Sequence, residues 1–159
     1  DDLYTFADVL GERVKLDGKR VAVIGSGMTG LETAEYLNER NCKTTVIEMA
    51  GSVAPGTWMQ HVDDIMPRLE KACTVIMTSQ KLTEVNKDSI VITDTATNEK
   101  QTLETDAVVL ALGSQPDTAL YEKLKIAGIK RLYPIGDVKK VGRIHGATSS
   151  AYDAVMSLL

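Results

Sequence analysis

Hydrophobic and polar positions along this chain follow a few distinct rhythms. Residues 21–24 (VAVI) are an unbroken apolar run, short enough for one strand covered on both faces. Leu31, Ala34, Tyr36 and Leu37 then recur at the spacing of a helix face that runs to about Arg40. Residues 44–47 (TTVI) predict a second strand. Val62, Ile65, Met66 and Leu69 mark another helical face over residues 59–72, interrupted by Pro67. A third strand is predicted at 74–78. Residues 82–86, 89–94 and 100–104 alternate apolar with polar and are separated by the turn pairs Lys87-Asp88 and Thr97-Asn98, the pattern of a three-stranded antiparallel meander. Residues 107–112 (AVVLAL) read as another buried strand. Beyond it come a short helix at 119–124, a strand at 130–135, a basic loop at 139–145 and a helix at 147–159. Residues 1–18 show no strong period beyond Phe6, Val9 and Leu10, and read as a lead-in arm.

Strands alternating with helices predict an α/β fold with a Rossmann-like parallel sheet, here with the meander standing where a second Rossmann half would place a helix. The connection after residues 21–24 gives the first chemical signal. Gly25, Gly27 and Gly30 fall in G-x-G-x-x-G spacing between a strand and a helix, and Glu48 ends the next strand 18 residues after Gly30. The three glycines serve different ends. Gly25 permits a tight turn, Gly27 the close approach of a pyrophosphate, and Gly30 close packing of helix on sheet. The helix start offers unpaired N–H groups and a positive dipole end to phosphates. Glu48 is placed to accept hydrogen bonds from an adenosine ribose. Dinucleotide binding is the expectation; a glycine turn in some other α/β protein is the plain alternative.

Composition narrows the field. With 43 % apolar and 25 % charged residues the chain is globular, and a net charge of −4 leaves no basic surplus for nucleic acid. No apolar run approaches the ~20 residues of a membrane span, and no leader pattern opens the sequence. Cys42 and Cys73 are the only cysteines and lie far apart, so neither a disulfide framework, a redox dithiol nor a metal site is expected. A reducing, cytoplasmic setting fits. A chain beginning at Asp1 reads as a piece of a longer polypeptide. Trp58 reads as cover for the sheet edge or as a contact to cofactor or a neighbouring domain, and His61 as a surface histidine.

Three stretches together resemble a known family: VAVIGSGMTGLETAEYL with Glu48, DAVVLALGSQPD, and LYPIGDVKKVGRIHGATSSAYDAV. The chain resembles the NAD(P)-binding domain of the FAD-dependent pyridine nucleotide-disulfide oxidoreductase-like superfamily. Within it, the chain is most similar to the C-terminal part of NADH:flavin oxidoreductases and of enoate and dienoyl-CoA reductases. The resemblance implies residues 19–113 as the NAD(P)-binding domain and 114–159 as a C-terminal fragment of an FAD domain. The earlier FAD glycine motif of such proteins is not in this sequence. Residues 21–48 are assigned to the NAD copy because of the meander and the short separation from the last motif. Ser26, Met28 and Thr29, between the three glycines, are expected to bind the cofactor with them. Glu32 corresponds to a glutamate near the nicotinamide carboxamide, Gly113 to a residue at the cofactor's edge, and Asp137 to the carboxylate that binds the ribityl chain of FAD. Their plain readings are a solvated helix acid, a turn glycine and a helix-cap aspartate.

The expected role is an NADH-binding module of a flavin-dependent oxidoreductase that delivers hydride to FAD, with FMN and an iron–sulfur cluster in upstream domains of an enoate reductase-type parent. No side chain reads as a catalytic acid, base or nucleophile, so the isolated piece is expected to be inactive. Its expected partners are the rest of the FAD domain and upstream domains, with self-association through the surface meant for them; nucleic acid and membrane are not among them. Two other classes stay open: a regulatory nucleotide-sensing Rossmann module, and a structural fragment that binds no nucleotide alone.

Overall fold

The computed structural model describes residues 2–158. The chain divides into two compact units, one reaching to Gly113 and the other starting at Ser114. In chain order the first unit comprises β1 (Leu3–Thr5), α1 (Phe6–Leu10), β2 (Arg20–Ile24), α2 (Met28–Asn38), β3 (Lys43–Ile47), α3 (Met59–Lys71), β4 (Val75–Met77), β5 (Gln80–Val85), β6 (Ser89–Asp94), β7 (Lys100–Glu104) and β8 (Ala107–Leu110). Five strands form a parallel sheet in the order β1-β8-β2-β3-β4. The other three form an antiparallel sheet in the order β5-β6-β7.

The unbroken apolar run in β2 is explained by what lies on its two faces. Val21 and Val23 pack with Leu31, Ala34 and Leu37 of α2, with Ile65 and Leu69 of α3, and with Val9 of α1. Ala22 and Ile24, the alternate positions, pack with Ile90 and Ile92 of the meander. Side chains on a strand alternate between faces, so a strand covered by helices on one side and a second sheet on the other has no place for a polar residue. Ile90 and Ile92 are fully buried, and burial of each contributes roughly 1.5–3 kcal/mol.

Four local expectations change. The segment expected as a lead-in arm is more than that from residue 2 on, because Leu3–Thr5 pairs in parallel with Val108–Leu110 and supplies an edge strand; a capping box between Thr5 and Asp8 starts α1 immediately afterwards. Pro67 does not interrupt its helix. It lies inside α3, where burial of Ile65 and Leu69 outweighs the ~3 kcal/mol cost of an interior proline. The second unit contains α4 (Ala119–Ile126), a short 3₁₀ turn (Gly136–Val138) and α5 (Ile144–Met156). Residues 130–135 form no strand there, since the described part of that unit offers no other strand to pair with and Pro134 removes one donor. The terminal helix begins at Ile144, not at residue 147, and Leu159 lies outside the described residues. No helix among the described residues is long and apolar enough to cross a membrane.

At the N-terminal edge of the sheet Arg20 gathers two carboxylates. Its backbone N–H donates to Asp106 Oδ2 at 2.8 Å and its guanidinium to Asp106 Oδ1 at 2.6 Å, with Glu104 paired beside it. The Arg20 hydrogen bonds hold the Asp106 carboxyl down at about 2, from an ordinary value of 3.8. A carboxyl depressed in the folded state stabilises the fold above its unfolded value and loses that contribution as pH falls through its folded value. Asp106→Asn is therefore expected to lower the melting temperature at neutral pH, and the gap to the parent should narrow from about pH 4 to about pH 2. Thermal melts followed by circular dichroism across this range check it; a constant gap contradicts the assignment.

Candidate functional site

The C-terminal edge of the parallel sheet brings together the ends of three central strands. Ile24 of β2 lies beside Ile47 of β3 and Leu110 of β8. The chain leaves β2 through Gly25, whose N–H donates to Ile47 O at 2.8 Å, while Ala111 N–H donates to Ile24 O at 2.8 Å. Gly25 has φ 104, and a Cβ on it would stand 2.6 Å from the Ala111 carbonyl oxygen. Only glycine combines that backbone with that space.

Gly27 and Gly30 differ from Gly25 and from each other. Gly27 has φ −57 and forms the N-cap of α2; a Cβ there meets nothing within 4 Å. The fold itself leaves this position open. A Cβ on Gly30 would stand 2.0 Å from the Gly25 carbonyl oxygen, so its bareness lets α2 press against the turn. No side chain caps α2, which leaves its first N–H groups without intrahelical partners. Met28 and Thr29, the first two residues of the helix, are half-buried, and Thr29 O accepts from Thr33 Oγ1 at 2.6 Å.

Glu48 follows β3 and is bound directly to this turn. Its Oε2 accepts from Ser26 N–H at 2.8 Å and from Ser26 Oγ–H at 2.8 Å, and its Oε1 accepts from Ala50 N–H at 2.8 Å. Burial pushes the carboxyl up, but the N–H groups of Ala50, Ser26 and Met49 and the Ser26 hydroxyl outweigh it. Glu48 therefore sits below the ordinary carboxylate range and is ionised at neutral pH. Lys43 begins β3 and so lies at the strand's opposite end.

The remaining sequence candidates are more dispersed. Glu32 is exposed on α2, two residues beyond Gly30. Gly113 has φ 86 and open space where a Cβ would be, three residues past the end of β8. Asp137 belongs to the second unit, where its Oδ1 accepts from Gly142 N–H at 3.2 Å and Ser150 Oγ accepts from Gly136 N–H at 2.8 Å. Trp58 is 62 % exposed ahead of α3, and His61 is exposed. Cys42 is buried and Cys73 exposed, both as free thiols. Among the described residues no group of three or more His, Cys, Asp or Glu side chains could hold a metal ion. Sequence reasoning did not find Ala54, whose N–H donates to Ser26 Oγ at 2.9 Å, nor Ala111 beside the turn. Neither alanine carries a signal in composition or spacing.

The family model for pyridine nucleotide-disulphide oxidoreductase matches residues 2–151. The chain belongs to this family. Among its relatives, NADH oxidase of Thermoanaerobacter brockii is 31 % identical over 153 residues, 95 % of this chain and 23 % of that protein. Cinnamate reductase of Clostridium sporogenes is 28 % identical over 160 residues, 99 % of this chain and 24 % of that one. The solved structure of 2-naphthoyl-CoA reductase with 2-naphthoyl-CoA superposes with a TM-score of 0.81 at 27 % identity, covering 97 % of this chain and 23 % of that one. This chain thus spans about a quarter of the length of these family members. Both the parallel sheet and the separate antiparallel sheet fit the flavoprotein oxidoreductase fold.

The two inner glycines of the turn give opposite expectations. Gly27→Val places its side chain in open space on a backbone that valine tolerates, so the melting temperature should stay near the parent's while any NADH binding at this turn is lost. Gly30→Ala would ordinarily gain about 1 kcal/mol of helix propensity. Here its methyl meets a backbone oxygen, and overpacking costs about 1–3 kcal/mol, so the net effect should be a lower melting temperature. Paired thermal melts and NADH titrations read both; a destabilised Gly27→Val that keeps its NADH affinity would refute this division between the two glycines.

Proposed function

We propose that this chain is the pyridine-nucleotide module of a flavin-dependent oxidoreductase, built to take up NADH for hydride transfer to FAD within the same parent protein. One observation carries the reading: an ionised carboxylate, Glu48, is hydrogen-bonded to a glycine turn that is open at Gly27 and leads into an uncapped helix. Family membership supports NAD(P)H and FAD as the cofactor pair. Relatives named as NADH oxidase and cinnamate reductase support an oxidoreductase parent. We place that parent in the enoate reductase subgroup, which by resemblance carries FMN and an iron–sulfur cluster upstream. In this reading the unit that reaches to Gly113, with β1 and α1 included, forms the nucleotide domain and the unit that starts at Ser114 a part of the FAD domain.

When bound, NADH supplies a hydride and FAD takes it up, so this chain's residues bind and orient. Gly27 leaves room for the pyrophosphate beside the backbone. The first N–H groups of α2, at Met28 and Thr29, and the positive end of its dipole offset phosphate charge. Glu48 accepts a ribose hydroxyl, and its negative charge opposes a 2′-phosphate. Glu32 meets the nicotinamide carboxamide, and Gly113 lies open at the cofactor's edge. In the intact parent Asp137 accepts from the ribityl hydroxyls of FAD. Partners are the rest of the FAD domain and the upstream domains. The exposed Ile144, Tyr152 and Val155 of α5 support a face made for them, through which the isolated chain self-associates. The setting proposed is cytoplasmic.

Calorimetric titration is expected to show NADH binding, with NADPH weaker by about tenfold or more, the factor that each ~1.4 kcal/mol of charge repulsion gives. Equal or tighter binding of NADPH would sink the role given to Glu48. FAD should bind weakly at best and the purified chain should be colourless, because a polar contact at the ribityl chain alone cannot offset the entropy of binding. A yellow protein holding stoichiometric flavin would reassign the glycine turn to FAD.

A further inference from the structure

Ser26 is the one residue of the glycine turn whose side chain is used on both sides. It is completely buried. Its hydroxyl accepts from Ala54 N–H at 2.9 Å and donates to Glu48 Oε2 at 2.8 Å, while its own N–H donates to the same oxygen. Ala54 is buried as well and has φ 49, a left-handed conformation that alanine rarely adopts. Ala50, in the same loop, donates to the other oxygen of Glu48. The carboxylate thus accepts the Ser26 hydroxyl and the N–H groups of Ser26 and Ala50 at 2.8 Å each, with the Met49 N–H also lowering its pKa.

We infer that Ser26 is a positioning residue for nucleotide choice: its hydroxyl locks Glu48 and residues 50–54 into one hydrogen-bonded unit, holding the carboxylate in one orientation toward a ribose hydroxyl. The inference rests on the reading of Glu48 as the ribose acceptor. Its consequence is selectivity. A carboxylate fixed by these donors cannot turn away from a 2′-phosphate, so the phosphate meets the full charge. A carboxylate released from the Ser26 hydroxyl can rotate, which loosens its grip on NADH and lets NADPH in.

The test titrates the 159-residue chain with NADH and with NADPH in four forms: parent, Ser26→Ala, Glu48→Gln and the double variant. Hydrogen exchange of the amides of residues 50–54 is followed without ligand. Ser26→Ala is expected to weaken NADH by about tenfold, the size of one lost hydrogen bond to a charged group. NADPH should bind no more weakly than before, so the selectivity ratio falls. The Ala54 amide should exchange faster. In the Glu48→Gln background Ser26→Ala should leave the ratio where it is. Ser26→Cys, nearly the same size with a weak donor, should fall between parent and Ser26→Ala, and it decides by the same criteria if Ser26→Ala does not fold. Equal weakening of both nucleotides marks a merely structural serine and overturns the inference, as does an undiminished ratio change without the carboxylate. A parent chain that binds no NADH removes the nucleotide reading itself, and this inference with it; a parent that binds NADH with a ratio indifferent to Ser26 removes only the role of Ser26.

Discussion

Gly30 of α2 lies so close to the turn before it that a methyl group would stand 2.0 Å from the Gly25 carbonyl oxygen. On its other side the turn is pressed against the exit of β8, where a methyl on Gly25 would stand 2.6 Å from Ala111 O. Three pieces of backbone meet in a space that admits only hydrogen atoms. This crowding decides where α2 starts, and so where its unpaired N–H groups lie along the sheet edge. It also holds Ser26 beside Glu48, since the turn has no freedom to carry Ser26 elsewhere.

The sheet beneath makes that edge rigid by being apolar on both sides. Helices cover one face and the meander the other, so each central strand contributes alternate residues to two separate cores. The balance of energies favours these cores over the visible ion pairs. Each fully buried isoleucine contributes roughly 1.5–3 kcal/mol, whereas an exposed pair such as Arg40 with Glu12 contributes about 0–1 kcal/mol. A charge at the edge is tolerated for a different reason: Glu48 keeps its charge because donors from the turn and the following loop take the place of water.

Much of this was legible in the residue pattern, and the failures have physical causes. The strands at 21–24, 44–47 and 107–112, the meander and the glycine turn announce themselves because double-sided burial forces apolar runs, alternation and special backbone angles. Leu3–Thr5 gives no such signal: three residues on a sheet edge are too few to carry a period, and Leu3 and Thr5 are exposed. Residues 130–135 give a false one, since strand composition without a partner strand makes no strand. Pro67 misleads because propensity is local and the burial of Ile65 and Leu69 is not. The glycines and Glu48 could be named from spacing, but the hydrogen bonds that join Ser26, Ala54 and Glu48 depend on tertiary approach and leave no trace in the order of letters.

The strand order also constrains how the first unit can assemble. β8 lies between β1 and β2, yet it is the last strand of the unit to leave the ribosome. Until residue 110 has been made, β2 can pair with β3 but lacks the strand that flanks it on the other side. β1, the first strand of the unit, still lacks its partner β8. Pairing of Leu3–Thr5 with Val108–Leu110 closes a loop of about a hundred residues, the kind of long-range contact that slows folding. The nascent unit is therefore committed only near its end, when one four-residue strand slides into the middle of the sheet and completes both cores at once.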